Sequence, residues 1–304
     1  MVKSKNPNKI KSAKVDKVFG VILAILAIYA FLVILIPVMH IVSSSFSSSD
    51  AVKAGEIGII PVDFSLESYK LVFEYKDIWI GYRNTIYYTV IGTFLNVCAT
   101  ILTAYPLSRS DLVGGSLLMK LMLFTMLFSG GLIPTYMLVN NLGLIDTAWA
   151  LWLPGLLSVY NVIVVRTFFK TNIPKELYEV SQIDGCSNMR YLWSIVIPLS
   201  GTIIAVMTLL YAIGHWNTYF NAMLYINDRD KFPLQLFLRE ILISNEIDYA
   251  NLSSYDAEVL AAKEEMKLLL KYALIVVSSL PMMMVYPFIQ KYIVKGVMIG
   301  SVKG

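Results

Sequence analysis

Residues Tyr178 to Ser200 read YEVSQIDGCSNMRYLWSIVIPLS. A charged, glycine-centred turn here interrupts two long apolar runs, and the chain returns to apolar residues through Pro198. Just upstream, Ile173, Leu177, Val180 and Ile183 recur at helical spacing, while Lys175, Glu176, Glu179 and Gln182 fall elsewhere on the wheel. Pro174 suits a first helical turn, and Glu176 lies near enough to the N-terminus to favour the helix dipole. The spacing predicts a short amphipathic helix from about Asn172 to Asp184. Gly185 then supplies the left-handed backbone that a sharp helix end requires. Ser187 is placed to cap a second helix that carries Met189, Leu192 and Trp193 towards a membrane. Periodicity alone equally admits an interfacial loop that merely closes a bundle.

The surrounding composition settles the medium. A chain of 304 residues that is 57% hydrophobic and 15% charged, with a mean hydropathy of +0.65, has too little polar surface to cover a soluble globule. Charge-free stretches long enough to cross a bilayer as helix, about 20 residues, centre on Val18 to Val42, Asn84 to Leu107, Leu121 to Asn141, Thr147 to Val165, Ser194 to Trp216 and Tyr272 to Gln290. Open sheet edges are not tolerated in lipid, so the expectation is an all-α membrane protein with six transmembrane helices. The run from Val18 exceeds a signal h-region and lacks a clean small-residue cleavage site, so it is expected to remain as the first span.

Lysine and arginine set the direction. Lys3, Lys5, Lys9, Lys11, Lys14 and Lys17 face only Asp16 in the head, which should stay in the cytoplasm. Alternating from there, the inside segments are basic, the outside segments are acidic, and both termini are cytoplasmic. The net charge of +4 therefore reflects topology and calls for a lipid bilayer rather than nucleic acid as partner. The organisation expected is a basic cytoplasmic head over 1–17, a six-span domain over 18–290 and a cytoplasmic tail over 291–304. Within the domain, 172–198 forms the cytoplasmic loop, and 43–82 and 217–271 are extracytoplasmic. The first outer segment opens with the serine run SSSFSSSD; the second holds an acidic, polar tract from Asn245 to Glu265, and both read mainly as solvated loops. Cys98 lies in an apolar run and Cys186 in the turn, so both are expected to be free thiols.

The turn also carries a resemblance. Its sequence resembles the EAA loop of bacterial ABC importer permeases, in which Glu-Ala-Ala and Asp-Gly-Ala lead to a Leu-Pro before the next span. Glu179, Asp184, Gly185 and Pro198 match in type and spacing. The departures are Val180 and Ser181 for the paired alanines, Cys186 for the alanine after the glycine, and Ile197 for the leucine. GLIPTYMLVNNLGLIDTAWALWLP, WNTYFNAMLYI and the terminal QKYIVKGVMIGSVKG are similar to the carbohydrate branch, the MalG-like subunits of the LplC and YtcP type.

This resemblance implies the type I ABC importer (MetI-like) permease fold, set in the bacterial inner or plasma membrane. It implies a second homologous permease subunit, two ATP-binding subunits docked through the loop at Glu179, Asp184, Gly185 and Pro198, and an extracytoplasmic solute-binding protein. The cargo would be oligosaccharides or related sugars. ATP and Mg would be bound by the partner ATPase subunits and no cofactor by this chain, which contains no Gly-x-x-x-x-Gly-Lys-Ser/Thr phosphate loop.

Enzymatic readings lack their residues. The only histidines are His40 and His215, which excludes a His-x-x-x-His metal pair, and no Gly-x-Ser-x-Gly elbow occurs. Each histidine lies near the outer end of a span and reads as an interfacial, hydrogen-bonded side chain. Tyr136, Trp152, Tyr160, Asn161, Trp216 and Asn217 are candidates to line a sugar path, because sugar C–H faces stack on rings and hydroxyls need amide partners. An ion-coupled secondary transporter would need intramembrane ionisable groups, and the charge-free cores contain no acid. A structural scaffold or a permease for a non-sugar solute fits the composition; the scaffold leaves the EAA-like turn unexplained.

Overall fold

The computed structural model describes residues 14–247 and 268–285, together with 287 and 290. Most of the basic head, most of the acidic tract and the whole tail 291–304 lie outside the described residues. What is described is helical, with one isolated bridge between Ser47 and Phe64 and no strand. It divides into two compact units, Met1–Leu71 with Asp256–Val276, and Val72–Tyr255 with Val277–Gly304.

In the first unit, α1 (Lys14–Ser45) is apolar all round and leaves its side chains from Val18 to Ile36 exposed, as suits a helix facing lipid. The serine run that follows is no solvated loop. Ser43, Ser44, Ser45 and Ser47 are buried, because their hydroxyls satisfy the irregular backbone around them. Ser47 Oγ donates to Ser43 O at 2.7 Å and accepts from Val62 N at 3.0 Å, and Ser45 Oγ meets the Tyr69 hydroxyl at 2.8 Å. Two short helices, α2 (Ser49–Ala54) and α3 (Glu67–Glu74), flank an irregular stretch over 55–66 in the segment expected to be loop.

In the second unit, α4 (Lys76–Ser108) is the central helix. After it come α5 (Gly115–Leu127), α6 (Leu132–Asn141), α7 (Trp149–Trp152), α8 (Val159–Asn172) and α9 (Lys175–Ile183). Then α10 (Asn188–Tyr191), a π-helical turn (Leu192–Val196) and α11 (Ile197–Leu199) lead into α12 (Gly201–Trp216), α13 (Phe220–Tyr225) and α14 (Leu234–Ile247). Against α4 pack α12, α8 and α14.

Three expected spans are not continuous helices. Among the described residues, Val18–Ser45, Lys76–Ser108 and Leu268–Val285 are long and apolar enough to cross a membrane singly. The third expected span is α5 and α6, bent by 111° where Gly130 and Gly131 interrupt the helix. The fifth is Asn188–Leu199 and Gly201–Trp216, bent by 83°. Pro198 has no N–H for the carbonyl one turn back, and the π turn before it and the break at Ser200 absorb that loss. The fourth is split into α7 and α8 by residues 153–158, around Pro154 and Gly155. At 14 residues α8 is about 21 Å long, short of the roughly 30 Å hydrocarbon core. Counting each bent pair as one span gives at most five among the described residues. The described part of the second outer segment, up to residue 247, is likewise structured, with Leu234 and Phe237 of α14 fully buried.

Candidate functional site

The turn has the local geometry its sequence predicts, with different faces in use. Helix α9 begins at Lys175, after Pro174, rather than at Asn172, which ends α8. At its other end Cys186 N donates to Ser181 O at 2.8 Å and Gly185 N to Gln182 O at 3.1 Å, satisfying carbonyls that a helix end orphans. Gly185 sits at φ +68°, in the left-handed region, with open space where a Cβ would project. Ser187 Oγ accepts from Arg190 N at 3.3 Å and caps α10. Gln182 Nε2 closes the turn by donating to Cys186 O at 3.2 Å.

The apolar stripe points away from the bundle. Ser181 is buried, and Ile173, Tyr178 and Cys186 pack on the core formed by Tyr105, Phe169, Tyr191 and their neighbours. Leu177, Val180 and Ile183 are exposed, Ile183 at 84%. Beyond the turn, Leu192 is buried but Met189 and Trp193 are exposed, so the second helix does not carry all three in one direction. Glu179 and Asp184 are exposed too, Asp184 as the C-cap of α9, and Pro198 lies beyond the π turn. Glu179, Asp184 and Gly185 thus share one short element, and Pro198 belongs to the bend above it.

Sequence reasoning missed a second feature, a polar ladder along α4. Asn84 and, at intervals of three or four residues, Thr85, Thr89, Thr93, Asn96 and Thr100 are all buried. Asn96 Nδ2 donates to Gly155 O and Leu156 O, each at 2.8 Å, the carbonyls freed where α7 and α8 part. With both amide hydrogens committed, Asn96 Oδ1 faces His215 and accepts from its Nε2 at 2.6 Å. Thr100 Oγ1 meets the Tyr211 hydroxyl of α12 at 2.7 Å. Near the other end, Asn84 Nδ2 donates to Asp230 O and Phe232 O at 2.8 and 3.0 Å, and Thr85 Oγ1 accepts from Leu234 N at 2.8 Å. In a bilayer, backbone groups outside helices need such partners, and Asn96 supplies them to the α7–α8 break. His215 is therefore a contact inside the bundle rather than an interfacial side chain, whereas His40 is exposed and meets Gly58 O at 3.3 Å. An ideal Cβ on Gly92 would lie 2.6 Å from the His215 ring, so a glycine is required there for the two helices to approach.

The candidate path residues are not gathered into one lining. Trp152 is 3% exposed and donates its indole N–H to Tyr88 O at 3.1 Å, while buried Trp216 donates to Ser278 O at 3.0 Å. Asn161 is buried. Tyr136 and Tyr160 present exposed rings, Tyr136 stacking on Tyr225 at 6.0 Å between centroids. Asn217 is exposed and donates to Ile213 O at 2.9 Å.

The loop between α13 and α14 is pinned by charge. Arg229 Nη2 pairs with Asp77 at 2.7 Å and its Nη1 with Glu240 at 3.1 Å, while Lys231 pairs with Asp146 at 2.9 Å. Burial acts to raise the Asp146 carboxyl, but the backbone N–H groups of Asp228 and Asn227 and the Lys231 ammonium hold it below the usual carboxylate range. Among the described residues no group of histidine, cysteine and acidic side chains is arranged to hold a metal, and Cys98 and Cys186 are free.

Residues 78–299 match the family described as binding-protein-dependent transport system inner membrane component. The polygalacturonan/rhamnogalacturonan transport system permease protein YtcP of Bacillus subtilis is 39% identical over 289 residues, covering 95% of this chain and 99% of that protein. Protein LplC of the same organism is 39% identical over 293 residues, covering 96% of this chain and 97% of its own. Among solved structures, a chain from the crystal structure of a bacterial ABC transporter involved in the import of the acidic polysaccharide alginate superposes with a TM-score of 0.82. It is 32% identical and is covered over 99% of its length by 93% of this chain.

Proposed function

The chain belongs to the binding-protein-dependent transport system inner membrane component family, and on that premise we propose that it is the permease subunit of an ATP-driven importer carrying oligosaccharides or related sugars into the cell. It is a multi-pass membrane protein of the MetI-like, all-helical kind. The full arrangement we propose is six spans, three of them broken, with both termini in the cytoplasm. A second homologous permease completes the path, an extracytoplasmic binding protein delivers the sugar, and two partner ATPase subunits bind ATP and Mg and hydrolyse the nucleotide.

The observation that carries this reading is the outward-facing stripe Leu177, Val180 and Ile183 on a doubly capped turn. A cytoplasmic helix that attaches to its own bundle by the opposite face, and leaves three large apolar side chains uncovered, is built to be covered by another protein. Glu179 and Asp184 supply charge at the edge of that patch, and Gly185 fixes its angle. In the membrane, Tyr136, Tyr160 and Asn217 have exposed surface to offer a sugar, whereas Trp152, Asn161 and Trp216 are buried and would act only as packing. The test is coexpression with a partner permease and ATPase, copurification, and reconstitution with the binding protein. Capture of the ATPase and sugar-dependent ATP turnover are expected. A chain that never retains an ATPase, or whose importer turns over for amino acids or metals and not for sugars, overturns the assignment.

A further inference from the structure

One of the contacts between the turn and the bundle passes through an arginine. Arg109 is the C-cap of α4, its backbone N–H bonded to Pro106 O at 3.0 Å. Its guanidinium carbon lies 3.1 Å from the centroid of the Tyr178 ring on α9, and its Nε donates to Asp111 Oδ1 at 3.1 Å. The Tyr178 hydroxyl reaches Asp111 Oδ2 at 3.5 Å and Asn188 Oδ1 of α10 at 3.3 Å. Beneath, Tyr191 packs edge-on against Tyr178 with centroids 5.3 Å apart. Arg109, Asp111, Tyr178 and Asn188 therefore form a polar circuit joining the end of α4 to both helices of the turn, the single phenolic proton serving Asp111 or Asn188 at one time.

Around this circuit packing is incomplete. A cavity of about 480 Å³ opens between the ends of α4 and α8 and the first turns of α9, and Ser108, Lys170, Pro174 and Glu179 are among its walls. Helix α9 rests on the apolar core through Tyr178, with the cavity beside that contact, so part of any push on its outer face falls on the Arg109–Tyr178 pair. A flat cation on a ring, tied to a carboxylate that also holds the ring's hydroxyl, is directional and resists sliding. A few turns back along the same α4, Asn96 and Thr100 bond to the α7–α8 break and to α12.

We propose that Arg109 is a positioning residue that, through the Tyr178 ring, transmits movement of the ATPase-docking turn into α4 and thence into the broken spans. The proposal rests on the docking role given above for the turn. In the reconstituted importer, Arg109→Gln and Tyr178→Leu each lower the ratio of binding-protein-stimulated to unstimulated ATP turnover about tenfold, the scale of one lost desolvated cation–ring contact. Both variants still copurify with the ATPase, because the outward stripe is untouched. Tyr178→Phe, which keeps the ring, retains most of the ratio, and the double variant Arg109→Gln, Tyr178→Leu is no worse than either single one. A wild-type chain that fails to capture the ATPase overturns the docking reading itself. A wild-type chain that couples normally, with an undiminished ratio in Arg109→Gln, equal losses in Tyr178→Phe and Tyr178→Leu, or additive losses in the double variant, overturns only the role of Arg109. Should Arg109→Gln not reach the membrane, the Tyr178→Phe and Tyr178→Leu pair decides by itself.

Discussion

Helix α4 and helix α9 invert each other's rules. Inside the bundle, α4 buries amides and hydroxyls, and on the outside of the turn α9 exposes leucine, valine and isoleucine. The difference teaches what each surface is for. Lipid already solvates apolar side chains, so what a broken helix lacks within the membrane is hydrogen-bond partners, and α4 provides them. On the proposed topology α9 faces aqueous cytoplasm, where water penalises exposed apolar area, so a stripe left uncovered there calls for a partner that covers it.

The comparison predicts opposite costs for similar changes. The largest effect is expected at Asn96, because Asn96→Leu strands two backbone carbonyls and the His215 N–H at once. A loss of about 2–5 kcal/mol follows, since orphaned buried groups cost roughly 1–3 kcal/mol each but partly find other partners within a membrane. Unfolding of the purified permease by heat or by SDS titration reads it; wild-type resistance would deny the ladder its role. Gly92→Ala should reproduce part of this, about 1–3 kcal/mol, by driving a methyl into the His215 ring.

Gly185→Val is expected to separate folding from coupling. Forcing a β-branched residue to a positive φ costs about 1–3 kcal/mol, which the bundle tolerates and a docking surface does not. Membrane insertion should persist while ATPase capture and stimulated turnover are lost, and full coupling would refute the mechanical role of the turn. Glu179→Ala, which leaves the backbone alone, should lose coupling only in part.

On the outer stripe, Val180→Asn and Ile183→Asn should leave stability within about 0.5 kcal/mol, because neither side chain is buried in this chain. The same variants should weaken ATPase retention, measured by pull-down at rising salt and detergent. Loss of stability there would mean that the stripe serves the permease's own fold.

The smallest expected effect concerns pH. The hydrogen bond from Arg109 holds the Asp111 carboxyl below the usual carboxylate range. A carboxylate whose folded pKa is depressed contributes fully above its unfolded value and loses that contribution as pH falls through the folded one. Coupling should therefore be flat on acidification from neutral to about pH 5, with any loss confined to lower pH. Asp111→Asn, which no longer titrates, should show a slightly lower ratio of stimulated to unstimulated turnover and no acid limb. An acid limb near neutral pH would point to another group.

Much of the turn was legible because its determinants are local. Gly185 at the left-handed position, Ser187 as cap and the end of α9 at Ile183, one residue before the expected Asp184, depend on residues within a turn or two of one another, and sequence spacing reports those closely. The membrane setting was legible for the same kind of reason, since mean composition needs no geometry. The breaks in the third, fourth and fifth expected spans were only half visible. Gly130, Pro154 and Pro198 mark where a helix can yield, but whether it does depends on finding distant partners for the freed backbone. For the α7–α8 break that partner is Asn96, 59 residues from Gly155 in sequence. The ladder itself left a trace, polar residues every three or four positions along an apolar helix, though periodicity does not say what they bond.

Nor could the wheel say which face of α9 meets the bundle. Sequence by itself determined a membrane-embedded helical chain with a capped, glycine-hinged turn, because composition and short-range backbone preferences act within a few residues. Only tertiary structure decided that Tyr178 and Ser181 dock inward while Val180 and Ile183 look out, and that Asn96 of α4 meets the carbonyls freed at the α7–α8 break. Those outcomes turn on which groups meet across more than a hundred residues, as His215 meets Asn96, 119 positions away, and no local preference encodes such a pairing.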